Sequence, residues 1–555
     1  MLAVLRYLLA AEADRIQDLI FRSSRLREVV GGSQLLTRFC DDVPKLLAVA
    51  DEQVITSAGG SFRIELESEE SARRFGAALA EAYSRATGGT LSIAEPAIIA
   101  DDSKPAWKKA SEDAGENLRQ AKRRGPPVAT AHMPYIAFCE SCGVGLAEAH
   151  ESWIEGEGDR HYICPSCRAK AAERVTKSLG RFLKPFYSRI VPDEKALSNM
   201  GWPHDAEAVG RYDPRGYVAY IVADGDDMGQ VFSACDREQA RALSQEMDEA
   251  LKESLSEPIR RFMRNPAANW VSQFIPVLPL ILGGDDLFAL VPAPWALDIA
   301  RRLCWNFRKR MTRFVQEEGI KLEQGAEPKN DSEQKEEQDQ LVITMTAAVV
   351  ICKANYPYYL AHEIGEHRLS EAKRMVKALA AQKEIRLSAV DFEVVLGSQA
   401  APKEHMGQRR PTLCPYWVTG KEAGDEEPEK DRIWRERIEQ TLRQEGWGLP
   451  IHALLEQRVG LVGTPARRLS QLRGLFDPAS GIIDAELQWD NEMRRLMKRV
   501  ERDLEPGKTH PMRAALEKRS SRPTGKSRPG TRTRSWIVGR RPEPSPSSER
   551  TPRGL

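Results

Sequence analysis

The sequence predicts an α+β fold in which one unit, running strand, helix, strand, glycine turn, strand, occurs twice. Three observations predict it. The apolar run Phe274 to Leu282 (FIPVLPLIL) breaks at Gly283 and Gly284 and resumes as Leu287 to Val291 (LFALV). A second apolar run, Gly216 to Ala223 (GYVAYIVA), stops abruptly at Asp224, Gly225, Asp226 and Asp227. The same order of elements, in a weaker form, fills the first hundred residues.

Within residues 1–100 the periodicity predicts a strand over Leu5 to Ala10, a helix over Asp14 to Val30, and strands over Gln53 to Ser57 and Phe62 to Glu67. A helix over Glu69 to Ala86 and a strand over Leu91 to Ile99 complete the unit. The hairpin between its middle strands reads Gly59, Gly60, Ser61, Phe62. Taken alone, this is an ordinary glycine turn; the repeat is what gives it meaning.

Residues 101–210 read as mostly helical around two cysteine pairs. Cys139 and Cys142 (CESC) are followed after twenty-one residues by Cys164 and Cys167 (CPSC). Two such pairs supply four thiolates for a closed, tetrahedral structural zinc site, whereas a dithiol redox centre needs only one pair. Cysteines 40, 235, 304, 352 and 414 stand singly in apolar or helical surroundings and read as core. Nine cysteines without a secretion signal fit a reducing cytoplasm.

Residues 211–400 form the stronger copy. After the strand ending at Asp224 comes a helix over Asp236 to Met263, then the strand, glycine turn and strand around LGGDDLFAL, Leu282 to Leu290. A further strand, Leu341 to Lys353, and a helix, Tyr358 to Ala380, follow. Carboxylates beside a core are costly unless something binds them, and Asp285 and Asp286 at a hairpin tip beside Asp224 offer hard oxygen donors to magnesium or manganese. Nucleotidyl transfer uses two such ions roughly 4 Å apart, and carboxylates from neighbouring strands suit that need. Lys373 and Arg374 either reach triphosphate oxygens or form a solvated basic face. His362, Glu363 and His367 (HEIGEH) do not have the HExxH order and read as core or surface. Asp226 is either a further ligand or the cap of a helix starting near Met228.

Residues 401–505 contain amphipathic helices (IWRERIEQTLRQ, NEMRRLMKRVERDL) sufficient for a small bundle. The whole chain, 555 residues, carries a formal charge of +1, yet from Arg513 onward twelve Lys or Arg face three Glu, leaving about −8 on the rest. Residues 506–555 therefore read as a basic, disordered tail, and Glu317 to Gln340 as a charged surface insertion. The apolar opening is interrupted by Arg6, so neither a signal peptide nor a membrane span is expected.

The strand ending ADGDDMG, the GGDD hairpin and the helix carrying SEAKR resemble the catalytic palm of the large polymerase-like subunit of type III CRISPR effector complexes, a relative of diguanylate cyclases. Ala13 to Leu36 is similar to that family's opening segment. The resemblance implies two tandem ferredoxin-like palm domains, an intervening zinc-ribbon helical domain and a C-terminal helical bundle. It implies that Asp224, Asp285 and Asp286, with the Gly225 carbonyl, hold two magnesium or manganese ions. Gly283, Gly284 and Lys373 would then face a donor ATP, and Gly59, Gly60 and Ser33 an acceptor ATP, giving cyclic oligoadenylates. Other effector subunits, guide RNA and target RNA are the implied partners, in the cytoplasm and away from any membrane. Many members begin with an HD nuclease domain; this chain starts with the first palm, and His204-Asp205 is its only HD pair. No DNA cleavage by an HD site is expected. A nucleotide cyclase making a cyclic dinucleotide and a non-catalytic RNA-binding scaffold are the alternative readings.

Overall fold

The computed structural model describes residues 5–452, except 24, 125–136, 153–158, 174–179, 266–272, 322–341, 384, 396–414, 421–437, 443–446 and 448–449, together with residue 455. All of these belong to one compact unit; a second unit, residues 460–472 and 482–555, lies outside the described residues. The expected C-terminal bundle, basic tail, charged insertion and Cys414 therefore fall almost entirely outside them.

The N-terminal sheet is built from β1 (Arg6–Ala13), β2 (Val54–Ala58), β3 (Ser61–Leu66), β4 (Leu91–Ile93) and β5 (Ala97–Ile99), in the order β2-β3-β1-β4 with β5 also on β1. Around it lie α1 (Ile16–Phe21), α2 (Leu26–Leu46), α3 (Glu69–Thr87) and α4 (Lys104–Arg124). The helix expected over Asp14 to Val30 is broken between α1 and α2. Serine is a weak helix former at the break, and the Tyr358 hydroxyl claims the Ser23 carbonyl there. The strand expected over Leu91 to Ile99 is likewise split in two.

A two-stranded ribbon, β6 (Ala149–Glu151) and β7 (His161–Ile163), separates the two cysteine pairs, the second of which opens α5 (Pro165–Ala172). Short helices α6 (Leu183–Ile190), α7 (Glu194–Ser198) and α8 (Ala206–Gly210) lead to the central sheet. Asp205, of the HD pair, caps α8 by accepting from the Ala208 amide at 2.8 Å.

The central sheet contains β8 (Tyr217–Gly225), β9 (Leu278–Gly283), β10 (Asp286–Pro292), β11 (Met345–Lys353), β12 (Ala389–Val394) and β13 (Tyr416–Trp417). Its helices are α9 (Met228–Ala234), α10 (Arg237–Arg264), α11 (Ala296–Glu317) and α12 (Tyr358–Lys383). The order is β13-β12-β11-β8-β10-β9. Numbered from β8, its first four strands run 4-1-3-2, and the N-terminal sheet has the same order: the ferredoxin-like arrangement, found twice. Strand β8 pairs along both edges, with β10 and β11, and α11 and α12 pack on it, so Val218 to Ala223 are all buried. Asp224 lies on this strand, one residue beyond the apolar run.

Buried polar contacts lock the two sheets together. Glu65 of β3 accepts from Arg6 at 2.5 Å and from Arg237 of α10 at 2.6 Å. Phe21 of α1 packs edge-on to Phe288 of β10, ring centres 5.3 Å apart, and against His362 of α12. Both sheets thereby line one cleft.

Candidate active site

The GGDD hairpin differs by one residue from the sequence expectation. Gly283 pairs with Asp286, so the turn is Gly284-Asp285, with Gly284 at φ +64, a conformation glycine adopts without steric cost. Asp285 thus sits at the tip and Asp286 opens the returning strand. In the N-terminal hairpin Ala58 pairs with Ser61 around Gly59-Gly60. Gly59 therefore matches Gly284, and Gly60 matches Asp285.

Asp224, Asp285 and Asp286 each offer a carboxylate oxygen within 4.8 Å of the others. Three like charges this close disfavour full ionisation. Burial, followed by the charges of Asp224 and Asp286, pushes the Asp285 carboxyl well above its ordinary range. Burial, Asp224 and Glu366 push Asp286 up to about 7, while Lys373 opposes them. Asp286 nonetheless opens to the water of the cleft. Lys373 donates to Asp224 Oδ2 and, at 2.9 Å, to the Gly225 carbonyl. An ammonium already rests on two of the oxygens assigned to a cation, which is the stand-in a divalent site should attract. Magnesium or manganese fits this hard, anionic oxygen set.

Asp226 lies outside the carboxylate triad and does not cap α9. It is buried, at 5% exposure, and accepts from the hydroxyls of Thr344 at 2.8 Å and Thr346 at 2.9 Å, tying the end of β8 to β11. Burial raises its carboxyl to about 6. Asp227 takes the N-cap position of α9 in a left-handed conformation, without a side-chain cap.

The cleft, about 870 Å³, is walled by Gly59, Thr37 and Gln17 on one side and by Asp224, Gly283 and Asp286 on the other. That is within the range of cofactor-sized pockets. Ser33 lies in its wall, but its hydroxyl is committed to the Leu280 carbonyl of β9, so it braces the cleft rather than facing a ligand. Gly60 also turns inward: a Cβ there would meet Ile16 Cδ1 at 2.8 Å, and its carbonyl accepts from the Ala13 amide. A smaller groove beside the triad is lined by Asp224, Glu366, Ser370, Lys373, Arg374 and Lys377.

Glu366 and Lys377 were not singled out from the sequence. Both follow from helical spacing, since residues 366, 370, 373 and 377 share one face of α12. Glu366 borders both cleft and groove, and its Oε1 contacts His362 Nε2 at 3.4 Å and Gln17 Nε2 at 3.5 Å. Burial and Asp224 raise its carboxyl. His362 is buried among aromatic rings and belongs to no metal set among the described residues.

Cys139, Cys142, Cys164 and Cys167 bring their sulfurs within 4.8 Å of one another. The Cys142 and Cys164 sulfurs are 3.8 Å apart, and a tetrahedron with arms of about 2.3 Å has edges of about that length. The four thiols therefore fit a tetrahedral ion. Cys40, Cys235, Cys304 and Cys352 are buried, as expected of core residues.

A carboxylate triad on the hairpin and central strand of a ferredoxin-like sheet, two of its members lining a nucleotide-sized cleft, defines a palm. Residues 217–380 match the family model for the second palm domain of Cas10/Cmr2. No curated protein matches the sequence. Among solved structures, the chain is similar to a Csm1–Csm4 cassette in complex with pppApA, at 16% identity and TM-score 0.43, covering 85% of this chain and 67% of that one. It is similar also to the cassette in complex with cA4, at 14% identity and TM-score 0.41, covering 71% and 55%. Csm1 in T. onnurineus gives 15% identity and TM-score 0.42, covering 70% and 53%. The chain thus spans little more than half the length of the cA4-bound and T. onnurineus Csm1 chains. Among the described residues no helix is long and apolar enough to cross a membrane.

Proposed function

We propose that this chain is the large subunit of a type III CRISPR effector complex and joins ATP into cyclic oligoadenylates. The observation that carries the reading is the convergence of Asp224, Asp285 and Asp286, of which Asp224 and Asp286 line the cleft, within a Cas10/Cmr2-type palm. The opposite wall belongs to a second sheet of the same order, whose hairpin has Gly59, Gly60 and Ser61 in place of the acidic turn. One palm is thus equipped for metal and the other only for holding a nucleotide. A cyclase working as a symmetric homodimer has no need of such a degenerate internal copy.

Asp224, Asp285 and Asp286 would hold two magnesium or manganese ions, with the Gly225 carbonyl as a further donor. Ions held there supply the charge that acidifies a 3′-hydroxyl and neutralises departing pyrophosphate. Gly283 and Gly284 bring backbone close to the donor nucleotide, Lys373 reaches its phosphates, and Gly59 borders the acceptor. The four cysteines hold a structural zinc ion. Guide RNA, target RNA and neighbouring effector subunits are the partners of this reading.

The test is incubation of the assembled complex and a matching target RNA with labelled ATP or GTP and magnesium, beside an Asp285→Ala/Asp286→Ala variant. Cyclic oligoadenylate made by the parent and lost in the variant is expected. A cyclic dinucleotide from GTP would make the protein a cyclase instead, and no product from either nucleotide would leave a scaffold.

A further inference from the structure

Lys373 reaches the carboxylate triad from α12 and is 17% exposed, against 58% for Lys377 and 76% for Arg374 on the same helix. Its ammonium is held by Asp224 Oδ2 and the Gly225 carbonyl. Both are donors in the cation site proposed above. A divalent ion bound directly to those oxygens needs the same lone pairs, at about 2.0–2.1 Å for magnesium, and adds its own positive charge. Ammonium and metal ion therefore exclude one another at this position.

The groove beside the triad gives the displaced side chain somewhere to go. Lys373 already borders it, and besides the carboxylates Asp224 and Glu366 it is lined by Ser370, Arg374 and Lys377, so its cationic groups outnumber its acidic ones. Arg374 lies 3.9 Å from Glu371 and Lys377 3.4 Å from Asp227, and both side chains are more than half exposed, so their remaining donors are open to a ligand in the groove. A chain of phosphates is the ligand chemistry that suits it. Lysine's four-carbon stem lets the ammonium swing from the Asp224 side to the groove side without moving the helix.

We propose that Lys373 is a displaceable counter-ion, which holds a cation's place between Asp224 and the Gly225 carbonyl until a divalent ion and a polyphosphate arrive together. The ion alone must evict the ammonium and binds weakly. A polyphosphate in the groove draws the ammonium away, so each ligand strengthens the other, as linkage requires. Entry of metal without nucleotide is thereby suppressed. This inference rests on the two-ion reading.

The test is Mn2+ binding to the full-length chain, followed by the electron paramagnetic resonance of free Mn2+ in 0.15 M salt, without nucleotide. Lys373→Met should bind Mn2+ about tenfold more tightly than the parent, and Lys377→Met should stay within about twofold, because the Lys377 ammonium lies against Asp227 and not on the oxygens that the ion needs. The Mn2+ complex of a non-hydrolysable ATP analogue should bind more weakly to Lys373→Met, so that the two ligands respond in opposite directions. A merely structural lysine would weaken both. Unchanged or weaker Mn2+ binding in Lys373→Met, or an equal gain in Lys377→Met, overturns the inference alone, provided Asp285→Ala abolishes the signal. Mn2+ binding insensitive to Asp285→Ala in every background overturns the two-ion reading with it.

Discussion

Glu12 occupies in the N-terminal sheet the position that Asp224 occupies in the central one. Glu12 lies opposite Ser61 and Ala11 opposite Phe62, whereas Ala223 lies opposite Leu287, with Asp224 and Asp286 one step beyond. Ser61 and Asp286 each open a returning strand. The N-terminal copy therefore keeps one carboxylate of three, and Lys122 balances it at 2.5 Å. A single carboxylate matched by a lysine leaves no net charge for a divalent ion.

From this difference, Asp224→Asn and Glu12→Gln should diverge. Loss of groups that merely support metal ligands costs about 10–100-fold, so loss of Asp224 itself should lower product formation by at least about 100-fold. Glu12→Gln should leave it within about threefold and should lower the Asp286 pKa, since Glu12 is one of the charges that raise it. Product assays at fixed magnesium, with a pH profile of Mn2+ binding, check both.

His362 predicts an acid-sensitive core. Burial between Phe21 and Phe288 pushes its imidazole down to about 4. Between that value and about 6.5 the unfolded chain takes up a proton that the folded one refuses, so stability present above pH about 6.5 is lost as pH falls towards 4. The loss amounts to about 3 kcal/mol at most. Denaturant unfolding at pH 5 and 7.5 should show a smaller difference in His362→Phe than in the parent; an unchanged difference would assign the acid sensitivity elsewhere.

Asp226 predicts the opposite slope. Its folded-state pKa of about 6 lies above the ordinary carboxylate value, so the stability it contributes is full below about pH 4 and is lost as pH rises through 6. Asp226→Asn keeps a neutral group between Thr344 and Thr346 and should be stabilised relative to the parent at pH 7.5 and much less so at pH 4.5. Parallel melting curves at both pH values decide it.

Much of this site was legible because its strands are apolar on both faces and end in carboxylates. β8 and the hairpin at Gly284 emerge from local pattern alone, as do the paired cysteines from their spacing. The break between α1 and α2 did not emerge, because it depends on Tyr358, more than three hundred residues away. The partners of Asp226 and Ser33 were hidden for the same reason: Thr344 and the Leu280 carbonyl are brought to them by sheet pairing and helix packing. Neither the commitment of Lys373 to Asp224 nor the equivalence of Glu12 is a local property of the chain.

The cysteine cluster should stiffen the N-terminal sheet through α5. Lys170, two residues after the helix's first turn, is buried at 1% exposure and donates to the Leu19 carbonyl of α1 at 2.8 Å. Ser141, inside the first cysteine pair, donates to buried Glu28 of α2 at 2.7 Å. If the cluster holds zinc as proposed, a chelator should expose four titratable thiols and lower the melting temperature by several degrees, since folding and metal binding are coupled. Lys170→Met should destabilise even with metal present, because Glu28 then loses a neighbouring positive charge.

Helix α12 reaches the triad only because Gly365 lets it lie flat on the sheet. A Cβ at Gly365 would stand 2.5 Å from Val222 Cγ2 and 3.6 Å from Val350 Cγ2, and a β-branched valine buried in a strand cannot turn aside. Gly365→Ala must therefore lift the helix, at a cost of about 1–3 kcal/mol typical of overpacking. Lys373, two turns further along the same helix, would be drawn off Asp224 as a consequence. Val222→Ala opens the space that the new methyl needs, so the double variant should recover part of the lost stability. A double-mutant cycle should return a coupling of about 0.5–3 kcal/mol, whereas strictly additive losses would mean that α12 is held at its distance by contacts other than Gly365 on Val222.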